Sequence, residues 1–150
     1  MELPSDWRDL LSLFSGHGVR FIVVGAHAVA AAGRPRATQD LDLWVEPTSE
    51  NASRIGKALG EFGFPGIAEA SEGFAQPDRM ARLGNPPLRI DLMTSIDGVE
   101  FDEAWEGRVV ASWGGVEVGF LSREHLLRNK RATGRAKDRL DVELLLESDG

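Results

Sequence analysis

A mixed α/β (α+β) fold, with a sheet of about five strands, helices mainly on one face and a C-terminal helical pair, is predicted by three features of this 150-residue chain. Short apolar runs stop at glycine, as at Phe21–Val24 before Gly25. Two stretches, 79–93 and 108–120, have paired arms around Gly84-Asn85-Pro86-Pro87 and Trp113-Gly114-Gly115, the pattern of hairpins. Segments with apolar residues every three or four positions lie before, between and after these arms, as amphipathic helices require. The length fits a single domain, 1–150, large enough to bury a core.

In chain order, Trp7, Leu10, Leu11, Leu13 and Phe14 mark one face of a helix over 6–15, with Ser5 or Asp6 as its cap and Gly16 or Gly18 as its stop. His17 lies in the turn that follows, as a solvent-facing loop residue. Arg20–Val24 is a continuous apolar run, expected of a strand covered on both faces. Gly25 permits a tight turn, with the free amides of an alanine-rich helix (27–32) facing outward, where phosphate binds; a plain corner is the alternative. Gly33-Arg34-Pro35 ends that helix, and a second strand runs to Val45. Thr48 or Ser49 caps a helix whose stripe of Ile55, Ala58, Leu59 and Phe62 ends at Gly63. Residues 65–78 have no clear period and are expected to form a loop with one helical turn, long enough to cover a substrate.

The arms 79–83 and 88–93 form the first hairpin; Glu100–Trp105 is a helical turn; Arg108–Ser112 and Val116–Phe120 form the second hairpin. Ser122 caps a helix that Gly134 closes, and Ala136–Glu147 forms the last one, where Asp138 and Asp141 suit the helix dipole.

Composition bounds the function. The absence of cysteine excludes disulfides, thiolate zinc sites and cysteine nucleophiles. The opening MELPSDW lacks the apolar run of a secretory signal, and no stretch reaches the roughly 20 apolar residues of a bilayer span, so no membrane is expected as a partner and the expected location is the cytoplasm. Net charge is −7, unevenly spread: 123–139 holds seven basic residues, among them Lys130, Arg135 and Lys137, against Glu124 and Asp138. Such a patch suits phosphates; the alternative is a solvated helix face.

The chemistry sits on the second strand. Side chains two apart share a face about 7 Å apart, so Asp40, Asp42 and Trp44 point one way and Leu41, Leu43 and Val45 the other. Carboxylates inside an apolar strand need a partner, because an isolated buried charge is too costly, and a pair of them suits a divalent metal facing a phosphate. Arg36 and Thr38 share their parity; Arg36 balances the pair or touches phosphate, unless it is a strand-end arginine in water. Asp91 shares a face with Arg89 and Met93, and becomes a third converging carboxylate if its strand lies beside that of Asp40. Otherwise it is an exposed acid paired with Arg89.

With the glycine turn, Arg36-x-Thr38-x-Asp40-x-Asp42 and a later strand aspartate in hand, the chain resembles the DNA polymerase beta-like nucleotidyltransferase superfamily. Within it, the chain is most similar to minimal bacterial members such as the AbiEii and MenT type toxins. The resemblance spans VVGAHAV, RPRATQDLDLWV, LRIDLM and NKRATGRAKDRLDV, most of the chain. It implies a metal-dependent nucleotidyltransferase that moves a nucleoside monophosphate from a nucleoside triphosphate to an RNA (tRNA) or protein hydroxyl. A biological role as the toxin of a toxin–antitoxin pair, with an antitoxin as partner, belongs to the same implication. It further implies two Mg²⁺ (or Mn²⁺) ions held by Asp40, Asp42 and Asp91, with Asp91 helping to deprotonate the acceptor. The nucleotide would be held by Gly25, Ala26, Arg36, Thr38, Lys130, Arg135 and Lys137. The family's turn usually carries a second Gly or a Ser where this chain has Ala26. That departure leaves an alternative: a catalytically degenerate nucleotide-binding or partner-binding module of the same fold.

Overall fold

Six strands, β1 (Phe21–Val24), β2 (Asp40–Val45), β3 (Met80–Leu83), β4 (Arg89–Met93), β5 (Val109–Trp113) and β6 (Val116–Phe120), form one sheet in the order β3-β4-β2-β1-β6-β5. The computed structural model describes residues 4–25, 28, 40–84 and 89–147, the side chains at 137, 141, 144 and 147 excepted. β1 runs antiparallel to β2 and parallel to β6, β2 runs parallel to β4, and the hairpins β3–β4 and β5–β6 are antiparallel. The sheet is mixed, as its sequence predicts. It has six strands rather than about five because both hairpins join it, one at each edge.

The helices are α1 (Ser5–Gly16), α2 (Ser49–Phe62), α3 (Pro65–Glu69), α4 (Phe101–Gly107), α5 (Arg123–Thr133) and α6 (Ala136–Glu147), with a 3₁₀ turn at Ser71–Ala75. Strand alternation sorts the sheet into two apolar layers. Phe21, Val23, Leu41, Leu43, Val45 and Leu92 pack against Trp7, Leu10, Leu11 and Phe14 of α1 and Ile55 and Leu59 of α2. Ile22, Val24 and Trp44 face the other way, onto Phe101 of α4, Leu126 and Leu127 of α5 and Leu145 of α6. Among the described helices α1, α2 and α3 therefore cover one face, and the C-terminal pair joins α4 on the other. All four residues of β1 are buried, as a strand sandwiched between two layers must be.

Two local expectations change. No Ser5 or Asp6 cap forms: the first helix begins at Ser5 behind Pro4, whose carbonyl accepts from the Arg8 amide at 3.0 Å. Residues 65–78 are not a cover over the carboxylates. They fold into α3 and the 3₁₀ turn, and Ile67, Ala68 and Phe74 pack into the α1–α2 layer, on the sheet face opposite the acids. Burying Phe74 there removes apolar area from water that a mobile loop would leave exposed.

One buried polar side chain ties α2 to the sheet. The amide of Arg20 donates to Asn51 Oδ1 at 2.8 Å, and Asn51 Nδ2 donates to the carbonyls of Arg20 and Glu46, each at 3.0 Å. Asn51→Ala is expected to lower unfolding stability by about 1 kcal/mol, because it takes the side-chain partner from the part-buried Arg20 amide and Glu46 carbonyl. Urea unfolding measures this, and an unchanged midpoint would contradict it.

Candidate active site

The acids meet because of register. In the parallel β2–β4 pair Asp42 stands directly opposite Asp91, and Asp40 opposite Arg89. Neighbouring strands lie about 4.8 Å apart, so facing residues project from the same side of the sheet. Asp40 shares that side by alternation. Asp91, which the sequence left open between convergence and exposure, is buried, its side chain only 6% exposed. Asp40 and Asp42 are half-buried. The other end of the same sheet face is closed by Trp44 against Phe101, ring centroids 5.1 Å apart, so the carboxylates sit at the edge of a packed apolar floor.

Gly25 follows the end of β1, where Val24 pairs with Asp42. Its φ is +72°, a left-handed conformation in which glycine carries no penalty. A Cβ built there would run into the Asp42 carboxylate, so the missing side chain lets backbone and acid approach. Ala26, Arg36 and Thr38, with His27 and the rest of the expected helix at 27–32 apart from Ala28, lie outside the described residues.

Two arginines face the acids. Arg82 of β3 stands opposite Asp91 and grips it with both arms of its fork, Nε to Oδ1 at 2.8 Å and Nη2 to Oδ2 at 3.2 Å. Arg89 Nε donates to Asp40 Oδ1 at 3.3 Å. In place of the alternative Arg89–Asp91 pair, Arg82 bonds Asp91 and Arg89 bonds Asp40. The hydrogen bond and charge of Asp91, with the charges of Asp40 and Asp42 behind them, raise the Arg82 guanidinium above its ordinary pKa. All three carboxylates therefore act on one group.

Arg82 is the site residue that sequence reasoning missed. Alternation along 79–83 already puts it on the Asp91 face of the hairpin, but register decides which acid it meets. The pairing of Leu83 with Ile90 places Arg82 opposite Asp91, where a turn confined to residues 84–87 would place it opposite Arg89.

Arg123, Arg128, Lys130 and Arg135 of the basic run also have partners. Lys130 is buried, and its Nζ lies 3.0 Å from Oδ1 of Asp138. Arg135 Nε and the Thr133 hydroxyl both donate to Asp138 Oδ2 at 2.6 Å. Asp138 is fully buried, so its place is more than a favourable position in the dipole of α6. Lys137 lies on α6, its side chain not described. Arg128 bonds Glu103 of α4 at 2.6 Å, and Arg123 donates to the Leu145 carbonyl at 2.8 Å.

The donor set at Asp40, Asp42 and Asp91 is all carboxylate oxygen, which suits a hard divalent ion such as Mg²⁺ or Mn²⁺. Among the described residues no group of three acidic or histidine side chains stands already gathered as a cation site. Each oxygen of Asp91 already accepts one hydrogen bond from the Arg82 fork.

Solved structures of similar fold define its class. The chain is similar to the lincosamide antibiotic adenylyltransferase LnuA, solved with lincomycin bound, at 13% identity and TM-score 0.57 over 97% of each chain. A candidate nucleotidyltransferase from Thermotoga maritima matches at 17% identity and TM-score 0.61, over 99% of this chain and 96% of that one. An antigenic nucleotidyltransferase-like protein from Paracoccidioides brasiliensis matches at 16% identity and TM-score 0.55, over 93% of this chain and 72% of that one. The fold is that of the nucleotidyltransferases. The chain belongs to the family described as nucleotidyl transferase of unknown function (DUF2204), whose model matches residues 4–147. No curated protein matches it. Among the described residues no helix is long and apolar enough to cross a membrane.

Proposed function

We propose that this chain transfers a nucleoside monophosphate from a nucleoside triphosphate to a hydroxyl of RNA, tRNA foremost, or of a protein, with Mg²⁺ or Mn²⁺ held by Asp40, Asp42 and Asp91. The observation that carries this reading is the parallel register that sets Asp42 beside Asp91. When bound, the divalent ions supply positive charge to the reacting phosphate and to the departing pyrophosphate. Asp91 takes the proton of the acceptor hydroxyl, a role its position among two other carboxylates supports. Gly25 keeps the end of β1 close to Asp42, so that phosphates are delivered against the acids. Ala26, Arg36, Thr38 and Lys137 are assigned to the nucleotide by family resemblance. Lys130 and Arg135 are assigned to the nucleotide by the same resemblance, with Asp138 as the residue that positions them.

The test is incubation of the purified protein with each labelled nucleoside triphosphate, Mg²⁺ or Mn²⁺, tRNA and cell lysate, with Asp42→Asn as control. Label on RNA or protein that disappears in the variant is the expected result. A second reading, a nucleotide-binding module without turnover, is favoured by the Arg82 fork on Asp91. Thermal stabilisation by nucleotide and metal with no label transferred would select it. Absence of both effects would discard the two together. Membership of the AbiEii/MenT branch and a toxin role, with an antitoxin as partner, extend the proposal. They predict growth arrest on expression that Asp40→Ala relieves, and vigorous growth at high expression of the wild type would remove them.

A further inference from the structure

We propose that Arg82 is an exchangeable internal counter-ion: it occupies Asp91 while the nucleotide is absent and passes to the triphosphate when the nucleotide arrives. The inference rests on the reading above and adds a residue and an order of events to it. The fork on Asp91 is two-pronged, and the planar guanidinium that fits a carboxylate in this way fits a phosphate equally well. The two partners differ in freedom. The Asp91 side chain is 6% exposed and fixed on an inner strand, whereas the Arg82 side chain is 50% exposed and stands on β3, the edge of the sheet. Among the described residues no further strand pairs with the outer side of β3. Its neighbour on the same face, Met80, is open to water. The long arginine stem can therefore swing outward while Asp91 stays in place.

Charge gives the exchange its purpose. Arg82 and Arg89 set two positive charges against the three carboxylates. An ion arriving alone competes with the fork for the Asp91 oxygens and leaves the guanidinium without an anion of its own. An ion arriving with a triphosphate brings the anion that the displaced guanidinium needs. Arg82 thus makes metal loading and nucleotide loading favour one another, a coupling that acts equally on both. An ordinary cross-strand ion pair would add a little stability and affect neither ligand.

Mn²⁺ binding without nucleotide, followed by the electron paramagnetic resonance of the free ion, measures the first half. Calorimetric titration with non-hydrolysable ATP, GTP, CTP and UTP in Mg²⁺ measures the second. Arg82→Gln is expected to bind Mn²⁺ about tenfold more tightly than the wild type and the preferred triphosphate about tenfold more weakly, the change that one charge-assisted pair supplies. Arg82→Lys, which keeps the charge without the fork, falls between the two and serves if Arg82→Gln does not fold. Adding Asp42→Asn to Arg82→Gln abolishes the gain in Mn²⁺ affinity. Should Arg82→Gln bind Mn²⁺ no better while Asp42→Asn still weakens it, the counter-ion role is overturned and the metal site stands. Tighter Mn²⁺ binding with unchanged triphosphate affinity overturns the passage to phosphate. If no form of the protein binds Mn²⁺ or any triphosphate, the nucleotidyltransferase reading itself fails, and the exchange with it.

Discussion

Gly25→Ala is expected to lower nucleotide transfer by about a hundredfold or more, although it adds one methyl group and leaves every carboxylate in the sequence. Displacing a reacting group by about 1 Å is enough for an effect of that size. The added Cβ would overlap the Asp42 carboxylate, and it would also lie 3.0 Å from Cγ and 3.2 Å from Cβ of Asp42. Rotating the carboxylate relieves the first overlap but not the last, because Asp42 Cβ is held by the strand. Either the end of β1 or the start of β2 has to move. The backbone adds its own cost, roughly 1–2 kcal/mol for an alanine held at φ near +72°. A steady-state assay alongside thermal unfolding separates the two effects. The expected result is a folded protein, modestly less stable, with transfer nearly lost. A folded Gly25→Ala with near-normal transfer would show that Asp42 does not work where β1 ends.

The parity of the acids was legible in the sequence, because alternation along a strand leaves no choice: Asp40, Asp42 and Trp44 share a face whatever the strand pairs with. That Asp91 joins them depends on β4 lying parallel to β2 in one register, which is a matter of tertiary pairing across the intervening α2 and β3. The partner of Asp91 depends on the same tertiary pairing. Arg89 is nearer in sequence, yet it sits on Asp91's own strand and projects toward Asp40, whereas the facing strand supplies Arg82. Residues 65–78 show the limit of periodicity. A five-residue helix and a short 3₁₀ turn are too brief to display a repeat, and only packing under Phe74 fixes their place. The basic run was legible as charge but not as structure. Gly134, at φ +67°, turns the chain between α5 and α6, and so brings Asp138 back to Lys130 and Thr133.

That turn carries the largest stability effect expected of a single charge. Replacing Asp138 by Ala is expected to cost about 3–5 kcal/mol at neutral pH, the usual penalty for removing one member of a buried ion pair. The substitution takes from the buried Lys130 ammonium the carboxylate 3.0 Å away, and from Thr133 and Arg135 their shared acceptor. The acid titration gives an independent signature. Burial alone would push the Asp138 carboxyl up, but hydrogen bonds from Thr133, Lys130 and Arg135, with the charge of Lys130, outweigh it and hold the group down at about 2. A folded pKa below the unfolded one means that the ionised form favours the folded state. The contribution is complete above the unfolded value near 3.9, fades as pH falls through the folded value, and amounts to about 2–3 kcal/mol, most of it lost between pH 4 and pH 2. Between pH 4 and pH 2 the wild type should therefore lose about 2 kcal/mol more than Asp138→Asn, in which no group titrates at this position. Comparing the two proteins removes the shared contribution of the other carboxylates, Glu103 among them, which Arg128 also holds below its usual range. Parallel stability curves for wild type and variant across that window would mean that the three donors at Asp138 do not prefer its charged form. Lys130 and Arg135 would then have lost the residue that positions them.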